Sequence, residues 1–447
     1  QLQALHRSLS SQERIASYFD MAYAKFRISA ALLFSLALSS ALPQSKTTLR
    51  VDYTGHRLVS VAPTKEAHFR LLLALEERFK VDVWQEPNGF GAPALLRLRP
   101  EVADEFVNIA SRSGMTVITT SSNVQELIDN ERKDMRFTTY STEKSLFDRY
   151  LKYEELMGTL KDYAKIYDHV TYTSIGRSFE GRELFGVHIK AKENLPIVFM
   201  ECGIHAREWI APSACLYFID QLATKHKNDT MVRRLVEKYE WRIHPVVNPD
   251  GYVYSHTTDR LWRKTRSKNQ FSTECVGTDG NRNFYTKGFC SKGSSTDPCK
   301  DTFCGASAFS EPEVRAIRDA VLNVRDRIEF FFSVHSFGQL WIFPHGYDFI
   351  RVPNYDELMN ISLKATEAIR KVRNTQFDFG PTGYTLYEVT GGITDWAYDH
   401  AGVRKVFTVE LEPSWRVPDW RKGFMLPARE IPMAVKEAWE GLKAAVE

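Results

Sequence analysis

The segment Val198-Phe-Met-Glu-Cys-Gly-Ile-His205-Ala-Arg-Glu208-Trp-Ile sets a His and a Glu three residues apart, directly after an apolar, β-prone run. An imidazole nitrogen and a carboxylate oxygen at that spacing can converge on one cation where a strand ends and the chain turns. A catalytic zinc site needs three protein ligands and one open position. The pair alone is weak evidence, because a chain with 12 His and many Glu offers about one such match by chance. His335, which closes the apolar run Phe331-Phe-Ser-Val-His335, is the natural third ligand. Asp279, just ahead of Asn281-Arg282-Asn283, is placed to accept the outer N–H of His205 and fix its tautomer.

Positioning these residues requires strands. Residues Pro196 to Met200, Trp241 to Val247, Ile328 to Val334 and Lys405 to Leu411 read as buried strands, and Ser145 to Tyr163 as a helix. From about residue 137 this alternation predicts an α/β domain with a mixed, mostly parallel sheet flanked by helices. Ligands in such sheets bind beyond the carboxyl ends of the strands. His205 follows one strand, His335 ends another, and Glu410 lies within a third.

Roughly residues 46 to 130 read as a smaller α+β unit. Strands are expected at His56 to Val61, Val81 to Trp84, Ala94 to Leu98 and Met115 to Thr119. Helices are expected from Thr64 to Phe79 and from Glu101 to Ala110. That order is the ferredoxin-like split βαβ sandwich. The polar, basic stretch Asn130-Glu-Arg132-Lys133-Asp-Met-Arg136 shows no apolar period and reads as a processing site in preference to a plain linker between domains, since nicking concentrates in exposed basic segments. Arg136 is the preferred cut, with Arg132 and Lys133 as alternates.

At 447 residues, two domains are the expectation. A formal charge of +3, with no concentrated basic run, argues against a nucleic-acid partner. Met21 opens a secretory signal, with Lys25 and Arg27 as its charged region and Ile28 to Leu38 as its apolar region. Ser39-Ser-Ala41 is its cleavage site. The apolar stretch is too short to span a membrane. Residues 1–20 precede the signal and are expected to be extraneous. All six cysteines lie between Cys202 and Cys304, an even number that suits an oxidising compartment and allows 15 pairings.

Several further segments carry a resemblance: Asn248-Pro-Asp-Gly-Tyr252, Arg260-Leu-Trp-Arg263, Asp279-Gly-Asn281-Arg282-Asn283, Val334-His335-Ser, Gly391-Gly-Ile-Thr394-Asp395-Trp396 and Phe407-Thr-Val-Glu410. With the His205 segment they resemble secreted zinc metallocarboxypeptidases of the pancreatic A/B family, over essentially everything after Met21. The resemblance implies a signal peptide (21–41), an activation propeptide (42–136) and a catalytic domain (137–447). It implies one zinc per chain, held by His205, Glu208 and His335, with water in the fourth position. Glu410 would be the general base and Arg263 the oxyanion stabiliser. Asn281, Arg282 and Tyr387 would clamp a terminal carboxylate, and Arg207 would reach further along the peptide. It also implies the bridges Cys275–Cys299, Cys202–Cys215 and Cys290–Cys304. The partners implied are peptide C-termini and a trypsin-like activating protease. A secreted monomer that engages neither membrane nor nucleic acid is expected.

In this family the residue before Asp395-Trp396 sits at the floor of the specificity pocket. Here it is Thr394, short and neutral, among Ile342, Gly346, Thr382, Leu386, Val389 and Thr408. A Lys or Arg side chain left there without a counter-charge is costly. The expected preference is therefore for aliphatic or aromatic C-terminal residues. Two departures from the family stand out: Phe337 where A-type enzymes carry Tyr, and the altered, longer segment Glu410-Leu-Glu412-Pro-Ser-Trp-Arg-Val-Pro. A B-type preference for basic residues, an N-acyl amino acid amidohydrolase and a non-catalytic peptide-binding homologue are the competing readings.

Overall fold

A computed structural model describes residues 50–139, 145–414 and 422–447. The expected leader and signal segments lie outside the described residues, as does most of the altered segment that follows Glu412.

Four short strands, β1 (Arg57–Ala62), β2 (Asp82–Gln85), β3 (Ala94–Leu98) and β4 (Thr116–Ser121), form an antiparallel sheet in the order β2-β3-β1-β4. This is the expected ferredoxin-like arrangement. Strand alternation sends Val59, Val61, Leu96 and Leu98 to one face, where they pack on Leu72, Leu75, Phe79 and Phe106 of helices Glu66–Phe79 and Pro100–Arg112. Leu58 and Leu95 point to the other face. There they join Trp84, Leu261, Phe424 and Met425, so the small sheet is docked onto the large domain.

The large domain is built on an eight-stranded sheet. Its strands are β5 (Val170–Arg177), β6 (Glu183–Ile189), β7 (Ile197–Cys202), β8 (Glu240–His244), β9 (Ile328–Gly338), β10 (Leu340–Phe343), β11 (Asp378–Pro381) and β12 (Val406–Ser414). The order is β11-β10-β12-β9-β7-β8-β6-β5, with β12, β9, β7 and β8 mutually parallel. The apolar runs of these central strands bury on both faces. Phe199 stacks on Phe331 and Phe332 on Phe407, each with ring centroids 5.6 Å apart. Helices Ile210–Lys225, Tyr355–Arg373 and Ile431–Val446 pack side by side against the sheet. The small and large layers belong to one compact unit, Arg50–Glu447.

Register decides the chemistry. Glu410 of β12 pairs with His335 of β9, and Glu201 of β7 pairs with Ser333 of β9. Paired residues of parallel strands share a face, and residues two apart on one strand do too. Glu201, Ser333, His335 and Glu410 therefore converge on one side of the sheet at its carboxyl ends.

Two expectations are corrected. The helix expected over Ser145 to Tyr163 spans Tyr153–Ile166, because the Glu155 carboxylate accepts the Lys152 backbone N–H at 2.8 Å and caps the first turn there. The stretch Asn130 to Arg136 is no linker but part of helix Val124–Thr139. Its buried stripe is Val124, Ile128 and Glu131, and the third member is a charge, so apolar periodicity misses it. Glu131 is buried because Arg260 of the large domain meets it through two bonds, Nε at 2.6 Å and Nη2 at 2.8 Å. Burial pushes the Glu131 carboxyl up while the Arg260 guanidinium pulls it back.

Removing one partner of a buried pair strands the other charge, at a cost of about 3–5 kcal/mol. Glu131→Ala in the uncut chain is expected to lower the urea unfolding midpoint accordingly. An unchanged midpoint would show that the pair contributes nothing.

Candidate metal centre and substrate cleft

Strand β7 ends at Cys202, and Gly203 adopts φ +67° to turn the chain out of the sheet. The loop that follows is tied down by backbone acceptors. Asn248 Nδ2 donates to the carbonyls of Ile204 and Lys264, both at 3.0 Å, and Arg260 Nη1 donates to the carbonyl of Arg207 at 2.8 Å. Trp209 is sandwiched between the Arg260 guanidinium, 3.6 Å from its ring, and the His256 ring at 3.9 Å. The helix Ile210–Lys225 then begins, pinned by Cys202–Cys215. Cys275–Cys299 and Cys290–Cys304 are also paired, as the resemblance implied.

Within this frame His205, Glu208 and His335 meet, at 4, 3 and 1% exposure. Their candidate ligand atoms lie within 4.8 Å of one another. His205 Nδ1 is 2.7 Å from Glu208 Oε1, His335 Nδ1 is 3.1 Å from Glu208 Oε2, and the two Nδ1 atoms are 3.1 Å apart. A tetrahedral zinc with bonds of about 2.0–2.1 Å spaces its ligand atoms about 3.3 Å apart. The donor triangle fits that ion with small outward adjustments. The surrounding charge fits as well. Desolvation disfavours the protonated imidazole of His335, yet Glu208, Glu410 and Glu201 overcome it and raise the group to about 9. The same negative field favours a divalent cation.

Asp279 stands behind the centre. Its Oδ1 is 3.1 Å from His205 Nε2, as expected from sequence, and its Oδ2 accepts Arg263 Nε and Nη2 at 3.0 and 2.8 Å. Burial works against its negative charge, but Arg263 and Arg282 hold the carboxyl well below the usual range. Arg263 Nη1 lies 3.7 Å from Glu208 Oε1, on the metal side. Burial pushes the Glu410 carboxyl up to about 8.

Arg282 directs Nε to the Gly293 carbonyl at 2.7 Å and Nη2 to the Tyr387 hydroxyl at 3.3 Å. Asn281 Oδ1 accepts the Ile393 N–H at 2.9 Å. Gly391 must be glycine: at φ +82° a Cβ would fall 2.1 Å from the Arg282 carbonyl. The cleft holding Arg263, Asn281, Arg282, Tyr387 and Glu410 continues into a pocket lined by Ile342, Gly346, Thr382, Leu386, Val389, Thr394 and Thr408. Thr408 and Thr394 hydroxyl oxygens are 3.3 Å apart. Asp395 also lines it, but its oxygens accept the backbone N–H groups of Gly346 (3.0 and 2.9 Å) and Tyr347 (3.2 Å).

Arg207 does not lie open along the cleft. Its Nη1 meets Asp82 of β2 at 3.3 Å and Asp301 at 3.2 Å, and Phe424 covers its guanidinium at 4.2 Å. Against the pull of burial, Arg97 and Arg207 hold the Asp82 carboxyl below its ordinary range. Trp84, two residues on, packs on Phe424 and lines the cleft with Gln85. The small domain thus stands in the groove that leads to His205 and Glu208. Sequence reasoning missed Asp82, Glu131, Glu201 and Ser333. Asp82, Glu201 and Ser333 are polar residues in otherwise apolar runs, which was the available signal; Glu131 stands in a polar stretch and gave none.

A buried His₂Glu donor set with a desolvated carboxyl beside it, at the strand ends of an α/β sheet, defines a metal-dependent hydrolase site. Residues 156–441 match the zinc carboxypeptidase family, and residues 59–131 match the carboxypeptidase activation peptide. Carboxypeptidase A2 of Rattus norvegicus is 32% identical over 88% of this chain and 94% of its own length. Carboxypeptidase B of Homo sapiens is 31% identical over 92% and 96%. The crystal structure of the carboxypeptidase A from Helicoverpa armigera superposes with a TM-score of 0.81, at 31% identity, covering 88% of this chain and 97% of that one. The chain belongs to the zinc carboxypeptidase family; it is a metallocarboxypeptidase carrying an activation peptide, a zymogen activated by proteolysis.

A carboxylate behind a zinc-bound His is worth about 10–100-fold in metal affinity. Asp279→Asn is expected to weaken zinc binding by that factor, measured by chelator competition; full retention would remove Asp279 from the site.

Proposed function

We propose that this enzyme removes aliphatic and aromatic residues from peptide C-termini, and that it is secreted as a monomer with a propeptide over residues 42–136 and a catalytic domain over 137–447. His205, Glu208 and His335 hold one zinc. Zinc there supplies a Lewis acid for the scissile carbonyl and an acidified water at neutral pH. Glu410 takes the proton of the attacking water and returns it to the departing amine. Arg263 is oriented by Asp279 through two of its nitrogens, which leaves Nη1 to face the developing oxyanion. Arg282, Asn281 and Tyr387 receive the terminal carboxylate, which makes the enzyme an exopeptidase.

The observation that carries the substrate preference is the neutral pocket. Relatives include both carboxypeptidases A and carboxypeptidases B, so family membership does not choose. Apart from Glu208 and Glu410 in the cleft, Asp395 is the carboxylate that lines this pocket among the described residues. Its three backbone bonds engage both oxygens, and burial pushes it up to about 7, so it is a poor counter-charge. Latency follows from Asp82 and Trp84, which occupy the groove around Arg207 and Phe424. A trypsin-like cut at Arg136 releases them.

On a peptide panel, tryptic treatment is expected to raise activity strongly, with C-terminal Phe and Leu released faster than Lys and Arg. The reverse order would overturn the preference, and equal activity before and after cleavage would overturn occlusion. Glu410→Gln is expected to lose activity by about 10²–10⁴-fold while retaining zinc; a partner-binding role would survive that change. Thr394→Asp is expected to shift the preference toward Lys and Arg.

A further inference from the structure

Each histidine of the metal site presents Nδ1 to the centre, so each must carry its proton on Nε2 to leave that lone pair free. His205 is held in this tautomer by Asp279. His335 has no such direct carboxylate behind it. Its Nε2 lies 2.8 Å from Ser333 Oγ, and the Ser333 hydroxyl in turn meets Glu201 Oε1. With Glu201 ionised, the state a nearby divalent cation favours, its oxygens only accept, and a hydroxyl has one proton to give. Ser333 therefore donates to Glu201 and keeps its oxygen lone pairs for His335. The order of donors runs one way, from His335 Nε2–H to Ser333 Oγ–H to Glu201.

Resting on the zinc reading above, we propose that Ser333 and Glu201 are positioning residues for the metal: a two-link relay that fixes the His335 tautomer and strengthens its hold on zinc. Two facts show that packing alone does not account for them. Glu201, Ser333 and His335 are 0, 0 and 1% exposed, so bulk solvent does not reach any link. Glu201 also keeps Oε2 without a hydrogen-bond partner, at the wall of a small cavity shared with Asn248, Gly280 and Glu313. A buried carboxylate so thinly satisfied is costly to the fold. A divalent cation two links away offsets that cost. The relay gives His335 what Asp279 gives His205 directly, a carboxylate behind each nitrogen ligand.

The test uses zinc itself on the full-length chain. Chelator competition gives the zinc Kd of wild type, Ser333→Ala, Ser333→Thr and Glu201→Gln, and thermal melts are run on the zinc-free and zinc-loaded forms. Ser333→Ala is expected to weaken zinc binding by about 10–100-fold. Glu201→Gln, whose amide can donate to Ser333 and reverse the relay, is expected to weaken it too. Ser333→Thr, which keeps the hydroxyl, should restore most of the affinity, and in Ser333→Ala and Glu201→Gln the loss of melting temperature should be larger with zinc than without it. Wild-type Kd values within twofold in both Ser333→Ala and Glu201→Gln would overturn the relay. So would equal losses of melting temperature with and without zinc, the mark of a packing role. If Ser333→Ala does not fold, the near-isosteric Glu201→Gln is judged by the same two criteria. Failure of wild type to bind one zinc would instead sink the site reading itself.

Discussion

Carboxyl groups buried at the carboxyl ends of parallel strands are the constraint around which this molecule is organised. Glu201, Glu208 and Asp279 are almost wholly removed from water, and Glu410 lies in the same desolvated cleft. A fold pays for such a concentration only when cations answer it. Arg263 and Arg282 answer Asp279 from one side, and the His₂Glu triangle is shaped for a divalent ion on the other. The apolar strands around the site supply the low dielectric that makes each of these interactions strong.

The arginines near the cleft also hold the small domain. In the uncut chain Arg207 faces Asp82 and Arg260 faces Glu131, so carboxylates of the small domain occupy positions flanking the segment of His205 and Glu208. The contact is not a loose cover. Arg260 also holds the carbonyl of Arg207 and stacks on Trp209, which follows Glu208 directly. The docking of the small domain and the positioning of the segment that carries Glu208 therefore share one guanidinium. The small sheet, buried on helices by one face and on the large domain by the other, has the same double commitment in its hydrophobic pattern.

The strands that carry chemistry were legible because they are long apolar runs, a pattern that tertiary context rarely overrides. Their placement in sequence held to within a few residues for β7, β9 and β12. Helix Val124–Thr139 was misread as a linker for a definite reason. Its inward face is completed by Glu131, and apolar periodicity cannot register a charge whose partner is 129 residues away. The start of helix Tyr153–Ile166 was set by the capping carboxylate of Glu155 rather than by hydrophobic period.

The sequence by itself determined the chemical inventory: His205 and Glu208 at a turn after a strand, His335 ending another, Asp279, the arginines Arg263 and Arg282, and the neutral Thr394. These follow from residue type, short spacing and the family resemblance, which are local properties of a chain. Only the tertiary structure decided which distant residues share a face and a partner. The register of β7, β9 and β12 aligned Glu201 with Ser333 and Glu410 with His335. The docking of the small sheet brought Asp82 and Glu131 onto Arg207 and Arg260. Strand register and domain docking are settled by the burial of whole faces. No short stretch of sequence contains that information.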